Sequence, residues 1–86
     1  MSADNGIYIA KFNSGYKVIH AGCIDNLDYY DVGTKKRKQI WKKYFKDAKT
    51  FKEKSNALEY AIKLFEAETI VEYGIVDLGQ GEEYED

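Results

Sequence analysis

Ile7-Tyr8-Ile9-Ala10-Lys11-Phe12, Asn13-Ser14-Gly15 and Tyr16-Lys17-Val18-Ile19-His20-Ala21-Gly22 form the stretch that decides the fold. Tyr, Ile and Val suit a pleated, half-buried surface. Between the two runs lie three turn residues, with a Gly able to take positive φ. Two such runs so separated predict a β-hairpin. Alternation puts Tyr8, Ala10 and Phe12 on one face of the first strand and Ile7, Ile9 and Lys11 on the other. Both faces carry apolar groups, so this strand is expected to be central or covered on both sides.

Outward from the hairpin the pattern changes. Cys23-Ile24 can extend the second strand past a bulge at Gly22. Leu27-Asp28-Tyr29-Tyr30-Asp31-Val32 reads as a further short strand, and Thr34 as an N-cap. In 35–48, Ile40, Trp41, Tyr44, Phe45 and Ala48 form one stripe of a 3.6-residue repeat, a helix with lysines on its other side. Lys49-Thr50-Phe51 is a short edge strand. Ser55 is a good N-cap for a second helix over 55–68, whose apolar stripe is Ala57, Leu58, Ala61, Ile62, Leu64 and Phe65. Residues 70–78 predict the last strand. The order β-β-(β)-α-(β)-α-β predicts an α+β two-layer sandwich. Its sheet is small and mostly antiparallel, of three to five strands, with both helices on one face. One domain over 1–78 is expected, followed by an acidic, disordered tail over 79–86.

The whole chain has 86 residues, 13 basic and 15 acidic, for a formal charge of −2. Its 15% aromatic content is too high for a disordered chain. No run is apolar enough to span a membrane, and the opening lacks the pattern of a secretory signal. A single Cys fits a reducing compartment. The small net charge conceals a separation. Residues 1–34 have two lysines against four aspartates, a net of −2. Residues 35–54 have ten basic residues against two acids, a net of +8, and residues 55–86 have one lysine against nine acids, a net of −8.

These runs supply the candidate binding residues. The basic set is Lys35, Lys36, Arg37, Lys38, Lys42, Lys43 and Lys46, interleaved with Trp41, Tyr44 and Phe45. Cations neutralise phosphates and exposed aromatics stack on bases, so 35–46 can serve nucleic acid. The aromatics share a helical stripe, however, which points them to the core and leaves only lysines. The sequence pI of about 5.4 also argues against a dedicated nucleic-acid module. The acidic set is Glu72, Asp77, Glu82, Glu83 and Glu85. An acidic surface can occupy a nucleic-acid groove; the plainer reading of both runs is solvated surface.

Catalysis and metal binding find little support. One His and one Cys cannot complete a zinc site. The Asp25, Asp28, Asp31 series lacks calcium-loop spacing. His20 and Cys23 face opposite ways on an unbroken strand, and only a bulge at Gly22 would join them as nucleophile and base. Gly79-Gln80-Gly81 matches neither phosphate-loop pattern. The expectation is no enzyme, no catalytic residue, no metal and no cofactor.

Ser2-Ala3-Asp4-Asn5-Gly6-Ile7-Tyr8-Ile9, the stretch from Thr50-Phe51 to Ala57-Leu58-Glu59-Tyr60-Ala61, and Glu72-Tyr73-Gly74-Ile75 resemble a family of small phage and prophage proteins over nearly the whole chain. The resemblance implies a protein of the cytoplasm of an infected bacterium and carries over no catalytic residues. It favours an accessory protein that binds a host protein, with inhibition of a host defence system, an anti-CRISPR role, as one case. Nucleic acid through 35–46 is the alternative partner, and no membrane is expected. Open sheet edges, eight tyrosines and the opposed charges make a homodimer the expected self-association.

Overall fold

Asn13 and Ser14 turn the chain between β1 (Asn5–Phe12) and β2 (Gly15–Gly22), and the two strands pair antiparallel in the register Tyr8↔Ile19 and Phe12↔Gly15. Gly15 sits at φ 133°, and a Cβ there would come within 2.5 Å of the Phe51 carbonyl oxygen, so the turn and the next strand both require glycine. The hairpin is the one the alternation predicts. The computed structural model describes residues 5–22, 34–67, 71 and 73–84, with only the backbone of 34–37. The expected strand at 27–32, the extension through Cys23-Ile24, the Thr34 cap and the Asp25, Asp28, Asp31 series lie outside the described residues or side chains.

After α1 (Thr34–Phe45) come β3 (Lys49–Phe51), α2 (Lys54–Ala67) and β4 (Ile75–Gln80). The result is a small α+β fold, a four-stranded mixed sheet in the order β3-β2-β1-β4 with two helices. β3 is an edge strand, as its shortness suggested, and pairs antiparallel with β2; β4 pairs parallel with β1. α2 begins one residue before Ser55. The Glu53 carbonyl accepts the Ala57 N–H at 3.2 Å, so Glu53 holds the cap position and Ser55 falls inside the first turn.

The two helices do not share a face. Tyr8, Ala10, Phe12 and Ile19 are buried with Trp41 and Phe45 of α1. Ile7, Ile9 and Val18 are buried with Ala57 and Ala61 of α2. Successive strand residues point to opposite sides, so α1 and α2 cover opposite faces and each makes its own helix-on-sheet layer pair. This corrects the expectation of both helices on one face. The physical reason lies in β1, where alternate residues are apolar on both sides and each side demands a cover.

The last strand also shifts. It starts at Ile75 rather than 70, because Gly74 turns the chain at φ 65° and the Tyr73 N–H bonds the Asn5 carbonyl at 3.0 Å. Ile9 pairs with Asp77 but Ala10 with Gly79, so a bulge places Leu78 as the extra residue. The strand then runs on through Gly79 and Gln80, which the sequence assigned to a disordered tail. Residues 81–84 are packed as well. The Gly81 N–H bonds the Lys11 carbonyl at 2.8 Å, and Tyr84 meets the Phe12 ring edge-on at 5.7 Å. The folded unit therefore reaches at least Tyr84, because this acidic stretch contains two anchors, Gly81 and Tyr84, that composition does not reveal.

Candidate functional site

Three surfaces and a groove come into view from the described residues. The first is the outer side of α1. Trp41 and Phe45 turn to the sheet because Phe12 offers them an aromatic partner, with ring centroids 5.7 and 5.3 Å away. Lys38, Lys43 and Lys46 are left exposed, and Lys42 is half-buried. The Lys43 ammonium sits 5.7 Å from the Tyr44 ring centre. The side chains of Lys35, Lys36 and Arg37 lie outside the described set. The helix thus offers cations without a free ring, apart from the half-buried Tyr44.

The second is the acidic set, and the structure disperses it. The Asp77 carboxylate pairs with the Lys54 ammonium at 2.8 Å and accepts the Gly79 N–H at 2.8 Å. The Lys54 bond first, then the Gly79 bond, hold its carboxyl below the ordinary carboxylate range. Glu83 accepts the Asn13 N–H at 2.6 Å and so clamps the hairpin turn. Glu82 is half-buried. Glu72 and Glu85 lie outside the described residues. Asp77 and Glu83 thus each make a contact within the fold, and Asp77 stays about half exposed.

The third was missed by sequence reasoning. α2 approaches the sheet through Ala57 and Ala61, both fully buried, with Tyr60 and Leu64 partly buried against the same cluster, while three of its larger apolar side chains stay outside. Leu58 is 37% exposed, Ile62 47% and Phe65 45%, and these follow one another at helical spacings of four and three. The Phe65 ring lies 3.9 Å from where a Cβ at Gly74 would stand, next to exposed Ile75 on β4, an edge strand of the sheet. The sequence signal was the width of the α2 stripe, too broad for one buried face once two alanines occupy its centre.

A groove of about 340 Å³ lies on the same sheet face at its other edge, lined by Lys49, Phe51, Asn56, Glu59, Tyr60 and Lys63. The Phe51 and Tyr60 rings are 5.2 Å apart at 42°, and the Lys49 ammonium stands 5.6 and 5.0 Å from their centres. It was legible in part, since the basic run extends beyond 46 to Lys49, and Lys49 and Phe51 share a face of β3.

His20 is exposed on β2, and Cys23 lies outside the described residues. Among the described residues no three of His, Cys, Asp and Glu gather as a metal-binding group, and no helix is long and apolar enough to cross a membrane. Neither a protein-family model, nor a curated protein, nor a solved structure matches this chain.

Proposed function

We propose that this chain is a non-enzymatic accessory protein that acts by stoichiometric binding to a host protein in the cytoplasm of a bacterium. The observation that carries the binding role is the exposed stripe Leu58, Ile62, Phe65 beside Ile75. Exposed contiguous apolar surface rimmed by polar residues is typical of protein contact sites. Here the rim is Glu59, Lys63 and Glu66. The host setting rests on the resemblance of Ser2–Ile9 and Glu72–Ile75 to phage proteins, and defence inhibition is the narrower form of the same reading.

Capture from bacterial cells tests it, with the double variant Ile62→Lys, Phe65→Lys run in parallel. Both side chains are about half exposed, so the variant keeps the fold while losing the stripe. The expected result is one protein held near 1:1 by the natural chain and lost by the variant. Equal recovery by both removes the stripe from the argument. A purified natural chain that is dimeric by light scattering, with a monomeric variant, assigns the surface to a second copy instead.

Nucleic acid bound through 35–46 is the second reading, favoured by the exposure of Lys38, Lys43 and Lys46. With Trp41 and Phe45 buried, those lysines give phosphate contacts alone. Such binding is non-specific and falls steeply with salt.

A further inference from the structure

We propose that the groove between β3 and α2 binds a short single-stranded nucleic-acid segment. This site lies beside the apolar stripe, whose rim shares Glu59 and Lys63 with it, and uses none of the α1 lysines.

The argument begins with the strands. Tyr16 of β2 stands directly opposite Phe51 of β3, so their side chains lie side by side on the α2 face. Tyr60 of α2 leans on Phe51, which extends the row to three aromatic residues, all half-buried. Each has a cation above it. The Lys11 ammonium is 5.7 Å from the Tyr16 ring centre, and Lys49 serves both Phe51 and Tyr60. Lys63 closes the far side of the groove.

Half-buried rings with flexible cations over them match what a single strand presents. Its unpaired bases stack on aromatic side chains, and its phosphates neutralise lysines. A duplex hides its base faces, so it cannot use the rings. A volume of about 340 Å³ takes one nucleotide unit at a time, which makes the site a stacking step on an open strand. Lys49 keeps its ammonium over the ring faces when no base is there. A base that enters displaces the ammonium toward the adjoining phosphate, so one residue serves both states. Asn56 supplies an amide that can reach a base edge. Glu59 repels phosphate and directs the backbone to the Lys49 and Lys63 sides.

Fluorescence anisotropy with labelled dT12 and rU12, full-length protein and 20 or 150 mM salt tests the site. Binding should be measurable at 20 mM salt and weaker at 150 mM. The double variant Lys49→Gln, Lys63→Gln should weaken it about tenfold and flatten the salt slope by about 1.4, the value for two phosphates of a single strand. Tyr60→Leu, which keeps an apolar side chain, should weaken it about 5- to 150-fold, the range for one lost stack. Thermal melts confirm that each variant is folded. The charge-neutral variant Ile62→Gln, Phe65→Gln also removes the stripe but adds no cation, so it should bind the strand like the natural chain, and failure of the protein-binding reading and failure of this one are distinguishable.

Four results overturn the proposal. One is the absence of binding at 20 mM salt. Another is equal or tighter binding of a 12-base-pair duplex. A third is a larger loss from Lys38→Gln, Lys43→Gln than from Lys49→Gln, Lys63→Gln. The last is complete competition by a mononucleotide at equal phosphate concentration, which assigns the groove to free nucleotide.

Discussion

The two faces of the sheet are covered by helices of similar length in opposite ways. On the α1 face, Phe12 receives Trp41, Phe45 and Tyr84 around one ring, with Trp41 and Phe45 stacked at 5.3 Å and 24°. On the α2 face, the branched side chains Ile7, Ile9 and Val18 already fill the surface, and the helix meets them with Ala57 and Ala61. A crowded sheet face draws a helix close through small residues, because interiors are packed near crystal density, and here Tyr60 and Leu64 are only partly buried against it. An open sheet position such as Ala10 admits large rings instead. The same rule that seals the first face leaves Leu58, Ile62 and Phe65 outside on the second. One face is closed by aromatic packing, and the other leaves Leu58, Ile62 and Phe65 outward.

Two phenylalanines give the sharpest test of this contrast. Phe45 is fully buried and Phe65 is 45% exposed. Phe45→Ala should cost about 3–5 kcal/mol, a large share of the stability of a domain this size. Phe65→Ala should stay within about 0.5–1 kcal/mol. Urea unfolding of both variants checks the pair, and equal costs would break the distinction between the faces.

Overpacking probes the same contrast from the other direction. Ala61→Leu drives extra methylenes between α2 and Ile7 or Ile9 and should cost about 1–3 kcal/mol. Gly81→Ala should lie in the same range, since a Cβ there would stand 2.7 Å from a Phe12 ring held by three other rings. Shifts in the urea midpoint would show both. If Ala61→Leu were neutral, α2 would not lie as close to the sheet as its alanines imply.

What could be read in advance follows the same division. The hairpin was legible because alternation and a Gly turn are local signals, and both helices were legible from 3.6-residue spacing. Apolar residues on both sides of β1 pointed to two covered faces, yet the helices were assigned to one. Helix periodicity gives a buried stripe but not the surface that it meets. The α2 stripe was too wide to tell which members face inward; Ala57 and Ala61 won because the sheet beneath them is branched and full. The tail misled by composition. Glu82 and Glu83 look like a solvated run, while long-range contacts from Gly81, Glu83 and Tyr84 to β1 and its turn fix the segment. The basic run was visible, but its interleaved aromatics Trp41 and Phe45 were core, and the rings beside cations, Phe51 and Tyr60, lay further along the chain.

A finer test asks how much of the α1 face is closed by the C-terminal segment. The Lys17 ammonium donates to the Tyr84 hydroxyl at 3.1 Å and to the Phe45 carbonyl at 3.4 Å. Tyr84→Phe removes one acceptor and keeps the ring on Phe12, so it should cost about 0.5–1.5 kcal/mol. Tyr84→Ala also removes the edge-on ring contact, which adds about 0.5–1.5 kcal/mol beyond area burial. A flat response to both, measured as unfolding free energy, would mean that the aromatic cluster of α1 is complete without the tail.

The smallest effect belongs to the α2 face, where Lys54 joins the helix start to Asp77 of β4. Both side chains are about half exposed, so screening by water keeps the contribution slight. Its sign against pH is nevertheless defined. Asp77 has its carboxyl held below its ordinary value of 3.8, chiefly by the Lys54 bond and next by the Gly79 N–H. Stability from it is complete above that ordinary value and is lost as pH falls through the lower folded value. Lys54 is held above its ordinary 10.5, chiefly by its bond to Asp77, so its share is complete below 10.5 and lost as pH rises through the higher folded value. Asp77→Asn should therefore be slightly less stable than the natural chain at neutral pH. The gap should close both on strong acidification and in strong alkali, and shrink with salt. Thermal melts across pH, natural chain against variant, read this directly. A gap that stayed constant from acid to alkali would assign the role of Asp77 to shape at the β4 bulge and remove charge from the joint between α2 and the sheet.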